Sequence, residues 1–363
     1  MSEIKKVKSW KIFLPVLIGL LVIAFMFINE FKPSAFDEIS ITWVSIFCFA
    51  LAFICIFMRD LGYVIRVRVL SDNKLSWRQA FRIIMLWEFT STVTPGALGG
   101  TSVALMYVHK EGISLGKSSS IVMLTSLLDE LYFIIIFPLM LLILGSSKLF
   151  FSVEDSSLEI ENLSNWSYGL FWLTIIAYSI KFVWVLFLIY GLFINPKNFS
   201  RMIYRIFKLP FLRRWKRNIV RVIRDIENNS AELKTKKISF WAKALASTFV
   251  SWTGRYLVVN CLFMAFFAVH DHLIIYARQL VMIIVLLICP TPGGSGFAEI
   301  MFNEYLGEYV DMAGLAGFSI VLALLWRLVT FYPYLIIGTV MMPKWISDNF
   351  VSKSTSKKKS RKK

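Results

Sequence analysis

Apolar residues run along the chain in stretches long enough to cross a bilayer, at 11–29, 41–58, 119–144, 168–194, 241–269 and 313–341. A hydrocarbon core about 30 Å thick takes roughly 20 apolar helical residues, so each stretch predicts one full span. Two further apolar stretches, 83–108 and 273–303, are broken at their centres by Thr94-Pro95-Gly96-Ala97-Leu98-Gly99-Gly100 and Pro290-Thr291-Pro292-Gly293-Gly294-Ser295-Gly296. Such breaks fit kinked full spans or hairpins that enter and leave by the same side.

Charge placement separates the two, because cytoplasmic loops collect Lys and Arg. With the N-terminus inside, Arg59, Arg66, Arg68, Lys74, Arg78 and Arg82 follow the second span on the inner side. The loop 145–167 then lies outside with four acidic residues against Lys148, and 195–240 lies inside with thirteen basic and three acidic residues. Taking both broken stretches as hairpins keeps this alternation at every loop, whereas taking either one alone as a full span exports 195–240 or the basic tail.

The predicted fold is therefore all-α and polytopic, with six full spans and two re-entrant helical hairpins in an inverted repeat. Its parts are 1–40, the first span and outer loop; 41–144, the first repeat of span, hairpin and span; 145–240, an outer loop, connecting span and basic interfacial helices; 241–341, the second repeat in opposite orientation; and 342–363, a disordered basic cytoplasmic tail. Pro95 and Glu130, like Pro292 and Arg327, stand 35 residues apart, which suggests matching depths and an ion pair across the halves. Inverted repeats with broken helices place a substrate near the midplane, where the halves meet.

Composition removes other classes. A 363-residue chain that is 57% hydrophobic, with mean hydropathy +0.65, is not a soluble domain. The net charge of +17 is absorbed by the inner loops, so nucleic acid is not needed to explain it, and anionic headgroups at the cytoplasmic surface are the expected contact. Within 198–237, Phe199, Met202, Ile206, Phe211, Trp215 and Ile219 alternate with Arg and Lys as in an interfacial helix broken near Pro210. Cys48, Cys55, Cys261 and Cys289 sit in apolar stretches, and His109, His270 and His272 lack metal-ligand companions, so neither a disulfide framework nor a metal or cofactor is expected. The run from Ile12 to Ile28 resembles a signal peptide, but its length and the lack of a small-residue cleavage site predict an uncleaved span.

Glycine at a hairpin tip lets backbone amides approach a ligand, and the N-terminus of the returning helix favours an anion. Gly96, Gly99, Gly100, Gly293, Gly294, Ser295 and Gly296 are accordingly candidate headgroup contacts, although Gly96 and Gly100 also form a small-xxx-small pair suited to plain packing. Ionisable residues inside membrane stretches are costly and by default functional. Glu88, Asp129, Glu130 and Glu299 are candidates for gating, proton transfer or ion pairing, with Glu299 equally suited to cap the amides of the returning half-helix, and Arg255 and Arg327 are candidates for binding an anion. Arg59, Lys181 and Lys243 read more simply as side chains snorkelling from span ends, and the same alternative stands for Arg255.

The second tip, Pro290 to Glu299 with its Thr-Pro-Gly-Gly-x-Gly-x-x-Glu pattern, and Trp326-Arg327 in the last span resemble the transmembrane domain of the lysylphosphatidylglycerol synthetase/flippase family. The resemblance covers nearly the whole chain. Where members often carry an acidic residue and an arginine after the first tip, this chain has Thr101 and Ala104. The resemblance implies translocation of a lipid between leaflets of the cytoplasmic membrane. Members that flip aminoacylated phosphatidylglycerol also carry a soluble aminoacyl-transferase domain, for which nothing after residue 341 provides, so synthetase activity is not expected. The reading is a flippase-like protein for an anionic phospholipid or glycolipid, either alone or as a homo-oligomer. The alternatives are a scaffold for an envelope-lipid or glycan enzyme and an integral membrane transferase.

Overall fold

The computed structural model describes residues 41–94, 96–150, 165–206, 232–286, 291 and 293–351, and those residues are helical with no strand. The predicted first span 11–29, the basic stretch 207–231 and the tail beyond 351 lie outside the described residues.

Helix α1 (Trp43–Leu70) starts from a capping box in which Thr42 and Ser45 satisfy each other's backbone amides at 3.1 and 3.3 Å. Asp72 and Asn73, both with positive φ, turn the chain, and a second capping box between Ser76 and Gln79 opens α2 (Trp77–Val93). A two-residue break separates α2 from α3 (Gly96–Lys110), and the two arms pack on each other as a hairpin. The approach is close: a Cβ on Gly100 would lie 2.0 Å from the Ser91 hydroxyl. Next come α4 (Leu115–Phe150), with Pro138 inside and a break at Gly145, α5 (Asn165–Ile189) and α6 (Pro196–Ile206). Phe199 of α6 fills the space beside Gly191, while Arg201 and Arg205 are exposed, so the described part of the predicted interfacial segment carries an apolar side and a basic side.

The same order recurs in α7 (Ile238–Met264), α8 (His272–Leu286), α9 (Phe297–Met312), α10 (Ser319–Thr330) and α11 (Tyr332–Ile346). Helices α8 and α9 form the second hairpin, and the last predicted span is divided at Phe331. Among the described residues, four helical segments are long and apolar enough to cross a membrane: Trp43–Leu70, Leu115–Phe150, Tyr168–Ile194 and Ser319–Asn349. The predicted span 241–269 is a helix of sufficient length but carries buried Ser247, Thr248, Ser251 and Asn260. That polarity has a local cause, because α7 packs along α1 rather than against lipid alone. A Cβ on Gly62 would meet the Ser251 hydroxyl at 2.3 Å, one on Gly254 would meet the Cys55 carbonyl at 2.8 Å, and Ser251 donates to the Arg59 carbonyl at 2.9 Å. Small residues thus let the two backbones touch.

Other contacts cross between the halves. Helix α4 packs on α8 of the second hairpin, and α11 packs on α2 of the first. The buried apolar residues fall into two large clusters, one around each hairpin. Helices α1 and α5 run from the second-hairpin cluster to the first, while α4 and α7 run the other way. Phe89, Phe331 and Leu335 form a small cluster of their own. There the tips approach: a Cβ on Gly293 would lie 2.4 Å from the Phe331 ring and 2.9 Å from the Thr92 carbonyl.

Candidate functional site

On each helix that passes from one apolar cluster to the other, charged residues stand at the changeover. Arg59 and Asp60 lie between Cys55 and Tyr63 on α1, Asp129 and Glu130 between Leu128 and Tyr132 on α4, Lys181 between Ala177 and Val185 on α5, and Trp252 and Arg255 between Ala244 and Tyr256 on α7. Glu88 of α2 and Tyr334 of α11 join them. A layer of ionisable side chains therefore separates two apolar halves.

Its bonds tie both halves together. Arg59 donates to Asp60 at 3.1 Å, to Glu88 and to the Tyr334 hydroxyl, which itself donates to Asp60 at 2.9 and 3.0 Å. Arg66 grips Asp129 with two bonds of 2.5 and 3.1 Å and donates to Thr248 at 3.1 Å, while the Trp252 indole donates to Asp129 at 2.7 Å. Lys181 bonds Glu130 at 2.7 Å and lies over the Phe133 ring. Tyr63 stands between the two guanidinium groups, with Arg59 5.2 Å and Arg66 4.8 Å from its ring.

Exposure shows which way the layer faces. The Arg59 and Arg66 side chains are 1% and 2% exposed, whereas those of Asp60, Glu88 and Asp129 are 18%, 21% and 24% exposed. The carboxylates are partly exposed, and the guanidinium groups that they hold are buried. Arg255 is different. It is half-buried, lies 5.3 Å from the Trp252 ring centre, and has no hydrogen bond or ion pair among the described residues, yet its charge acts through space on Glu88 and Asp60.

The second tip forms a separate, closed unit. Gly293, Gly294 and Gly296 all have positive φ, a conformation that a side chain disfavours. Arg327 donates to Glu299 at 3.0 Å and to the carbonyls of Gly293 and Gly294 at 3.3 and 3.2 Å; Glu299 in turn accepts the Gly296 amide at 2.8 Å, capping α9. Ser295, Glu299 and Arg327 are buried. All three guanidinium nitrogens of Arg327 are thus engaged by the tip.

Several expectations need correction. Glu130 and Arg327 do not pair: Glu130 holds Lys181 and Arg327 holds Glu299. Equal spacing from a proline sets depth along a helix, but the direction in which each side chain leaves its axis chooses the partner. Arg59 and Lys181 do not snorkel, since both are buried and paired. The structure brings Glu88, Asp129, Glu130 and Arg255 into the central layer and places Glu299, Arg327, Gly293, Gly294, Ser295 and Gly296 together at the second tip. Gly96 and Gly99 lie in the first turn of α3, and Gly100 serves the contact between the hairpin arms. Sequence reasoning missed the roles of Asp60, Tyr63, Arg66, Trp252 and Tyr334. A signal existed: Arg59, Tyr63 and Arg66 recur at the i, i+4, i+7 spacing of one helical face, just past the end assigned to the second span.

At the edge of the bundle, Lys117 bonds Asp72 and, at 3.2 Å, Glu232, while Lys236 bonds the same two carboxylates at 2.6 and 2.8 Å. Burial alone would raise the Asp72 pKa, but the two ammonium groups outweigh it and hold it below the usual carboxylate range. The Lys236 hydrogen bond does the same for Glu232; Lys236 itself is raised, because its carboxylate partners outweigh its burial.

Apolar helices of crossing length and a paired ionic layer between apolar clusters define a multi-pass integral membrane protein. Residues 12–338 match the family described as the lysylphosphatidylglycerol synthase TM region, and the chain belongs to that family. It is also similar to a UPF0104 membrane protein of Archaeoglobus fulgidus, 25% identical over 287 residues that cover 77% of this chain and 80% of the relative. No solved structure matches the chain.

Proposed function

We propose that the chain is a lipid translocase, moving the headgroup of an anionic phospholipid or glycolipid between leaflets while its tails stay in the bilayer. The observation that carries this is the ionic layer: partly exposed carboxylates and one cation, Arg255, with no hydrogen bond or ion pair among the described residues lie between two apolar halves, where an isolated charge is costly and tends to be functional. In this reading the chain has six full spans and two re-entrant hairpins in an inverted repeat, with both termini at the cytoplasmic face of the cell membrane. The packing of α1 on α7, α4 on α8 and α11 on α2 supports it, since equivalent helices of the two repeats then exchange equivalent contacts. Rocking of one repeat against the other would open the layer to each side in turn. Family membership supports a lipid as the substrate, and no chemical step is assigned to the chain.

The test is translocation in vesicles. Purified protein is reconstituted with a headgroup-labelled phosphatidylglycerol, and the label exposed on the outer leaflet is destroyed with an impermeant reductant. Protein-dependent loss of the inner-leaflet label is expected; the same protected fraction with and without protein would refute the reading.

A further inference from the structure

Charge balance in the central layer bears on how an anion enters it. The formal charges facing Glu88 are Arg59, Asp60 and Arg66 from α1, Asp129 from α4 and Arg255 from α7, with the Tyr63 and Tyr334 hydroxyls beside them. Among the described residues, α3 and α8 bring Tyr107, bonded to Thr90, and Tyr276, bonded to Tyr132, and the α10 guanidinium of Arg327 is held by Glu299. Glu130 is balanced by Lys181. Among the described residues, three guanidinium groups thus face three carboxylates, and their formal charges balance.

The balance is uneven in detail. Asp129 takes both carboxylate hydrogen bonds of Arg66, whereas Asp60 and Glu88 share the hydrogen bonds of Arg59, and Arg255 is the further positive charge that acts through space on both. An anion that contacts Arg255 takes that charge away. Two carboxylates are then left around one guanidinium, and like charges so close in a poorly solvated place do not both stay ionised. Resting on the reading of the layer as a headgroup site, we propose that a phosphate group binds Arg255 together with one proton, which passes from solvent to a carboxylate oxygen of the Asp60–Glu88 pair. No other bond forms or breaks, and the loaded layer is neutral again. The proton weakens the grip of Arg59 on its carboxylates, and Arg59 joins α1 to α2 and α11. Loading therefore loosens α1 from the first hairpin and from α11 of the second repeat, and the α1–α11 contact is one that rocking must change.

The experiment measures binding and proton uptake in detergent, without any translocation. Short-chain phosphatidylglycerol, the matching diacylglycerol and inorganic phosphate are each added to the purified protein in weakly buffered solution with a pH-indicator dye, between pH 6 and pH 8. Phosphatidylglycerol should draw close to one proton per molecule bound, its affinity falling about tenfold per pH unit wherever the pair is ionised in the empty protein. Diacylglycerol should draw none. Uptake with inorganic phosphate but not with phosphatidylglycerol would overturn the lipid as the source of the phosphate.

Glu88→Gln and Asp60→Asn mimic the protonated pair; in at least one of them phosphatidylglycerol should bind with no uptake and no pH dependence. Arg255→Gln should weaken binding at least tenfold while Arg255→Lys keeps it, each variant being taken forward only as a monodisperse protein. Binding to the wild type without proton uptake, or unchanged binding by Arg255→Gln, would overturn the proposal. Flipping in vesicles without proton uptake would sink this inference and leave translocation standing, and proton-linked binding without flipping would do the reverse.

Discussion

Arg327 and Glu299 are both buried and hold the second tip in its positive-φ conformation. Replacing Arg327 by Met leaves the Glu299 carboxylate in the interior with one bond, from the Gly296 amide, and frees the Gly293 and Gly294 carbonyls. Breaking a buried pair in this way costs about 3 to 5 kcal/mol. Adding Glu299→Gln removes the stranded charge while its side-chain oxygen still accepts the Gly296 amide, so most of that loss should return. Heat-induced loss of monodisperse protein in detergent reads the effect: Arg327→Met should lower the midpoint by on the order of 10 °C, and the double variant should regain more than half. Lipid translocation should return with it, because every Arg327 nitrogen already serves the tip. A double variant that is stable but inactive would refute the structural assignment and make Arg327 a substrate ligand.

Gly254→Val should cost membrane yield by driving a side chain into the Cys55 carbonyl, whereas Gly169→Ala, which meets nothing within 4 Å, should be neutral or slightly stabilising; yields of folded protein compare the two. The Lys117, Asp72, Lys236 and Glu232 cluster should hold its segments together across neutral pH. Its lowered carboxylates lose their contribution as pH falls through their depressed values, and its raised lysine loses its own as pH climbs past the ordinary lysine range, so hydrogen exchange at 232–237, corrected for intrinsic rate, should speed up at both ends. In a cysteine-free background, Asp311→Cys should react with an impermeant thiol reagent from outside and Thr235→Cys only after permeabilisation; external reaction at 235 would invert the charge-based topology.

Element order was legible because it rests on periodicity and breaks: the glycine and proline runs ended α2 and α8 and opened α3 and the tip before α9. The candidate residues at membrane depth were legible as well, since an acid such as Glu88 or Asp129 inside an apolar run is conspicuous. Partners were not legible, because they join elements far apart in the chain, as Arg59 joins Tyr334 and Lys181 joins Glu130. The end of α1 was misjudged for a related reason. Hydropathy stops at Arg59, but the helix continues to Leu70 because the polar side chains beyond it turn inward to α4 and α7 rather than outward to water.

The central claim is that a lipid headgroup occupies the layer between the two apolar clusters. Photo-crosslinking tests it directly, with a benzophenone amino acid in place of Trp252, which is half-buried beside Arg255, and at Ile176, which is exposed on α5. Mass spectrometry of the irradiated protein in native membranes should find an intact phospholipid or glycolipid joined through its headgroup at 252, and lipid joined through its acyl chains at 176. Capture at 252 of protein neighbours alone, with lipid still captured at 176, would contradict it.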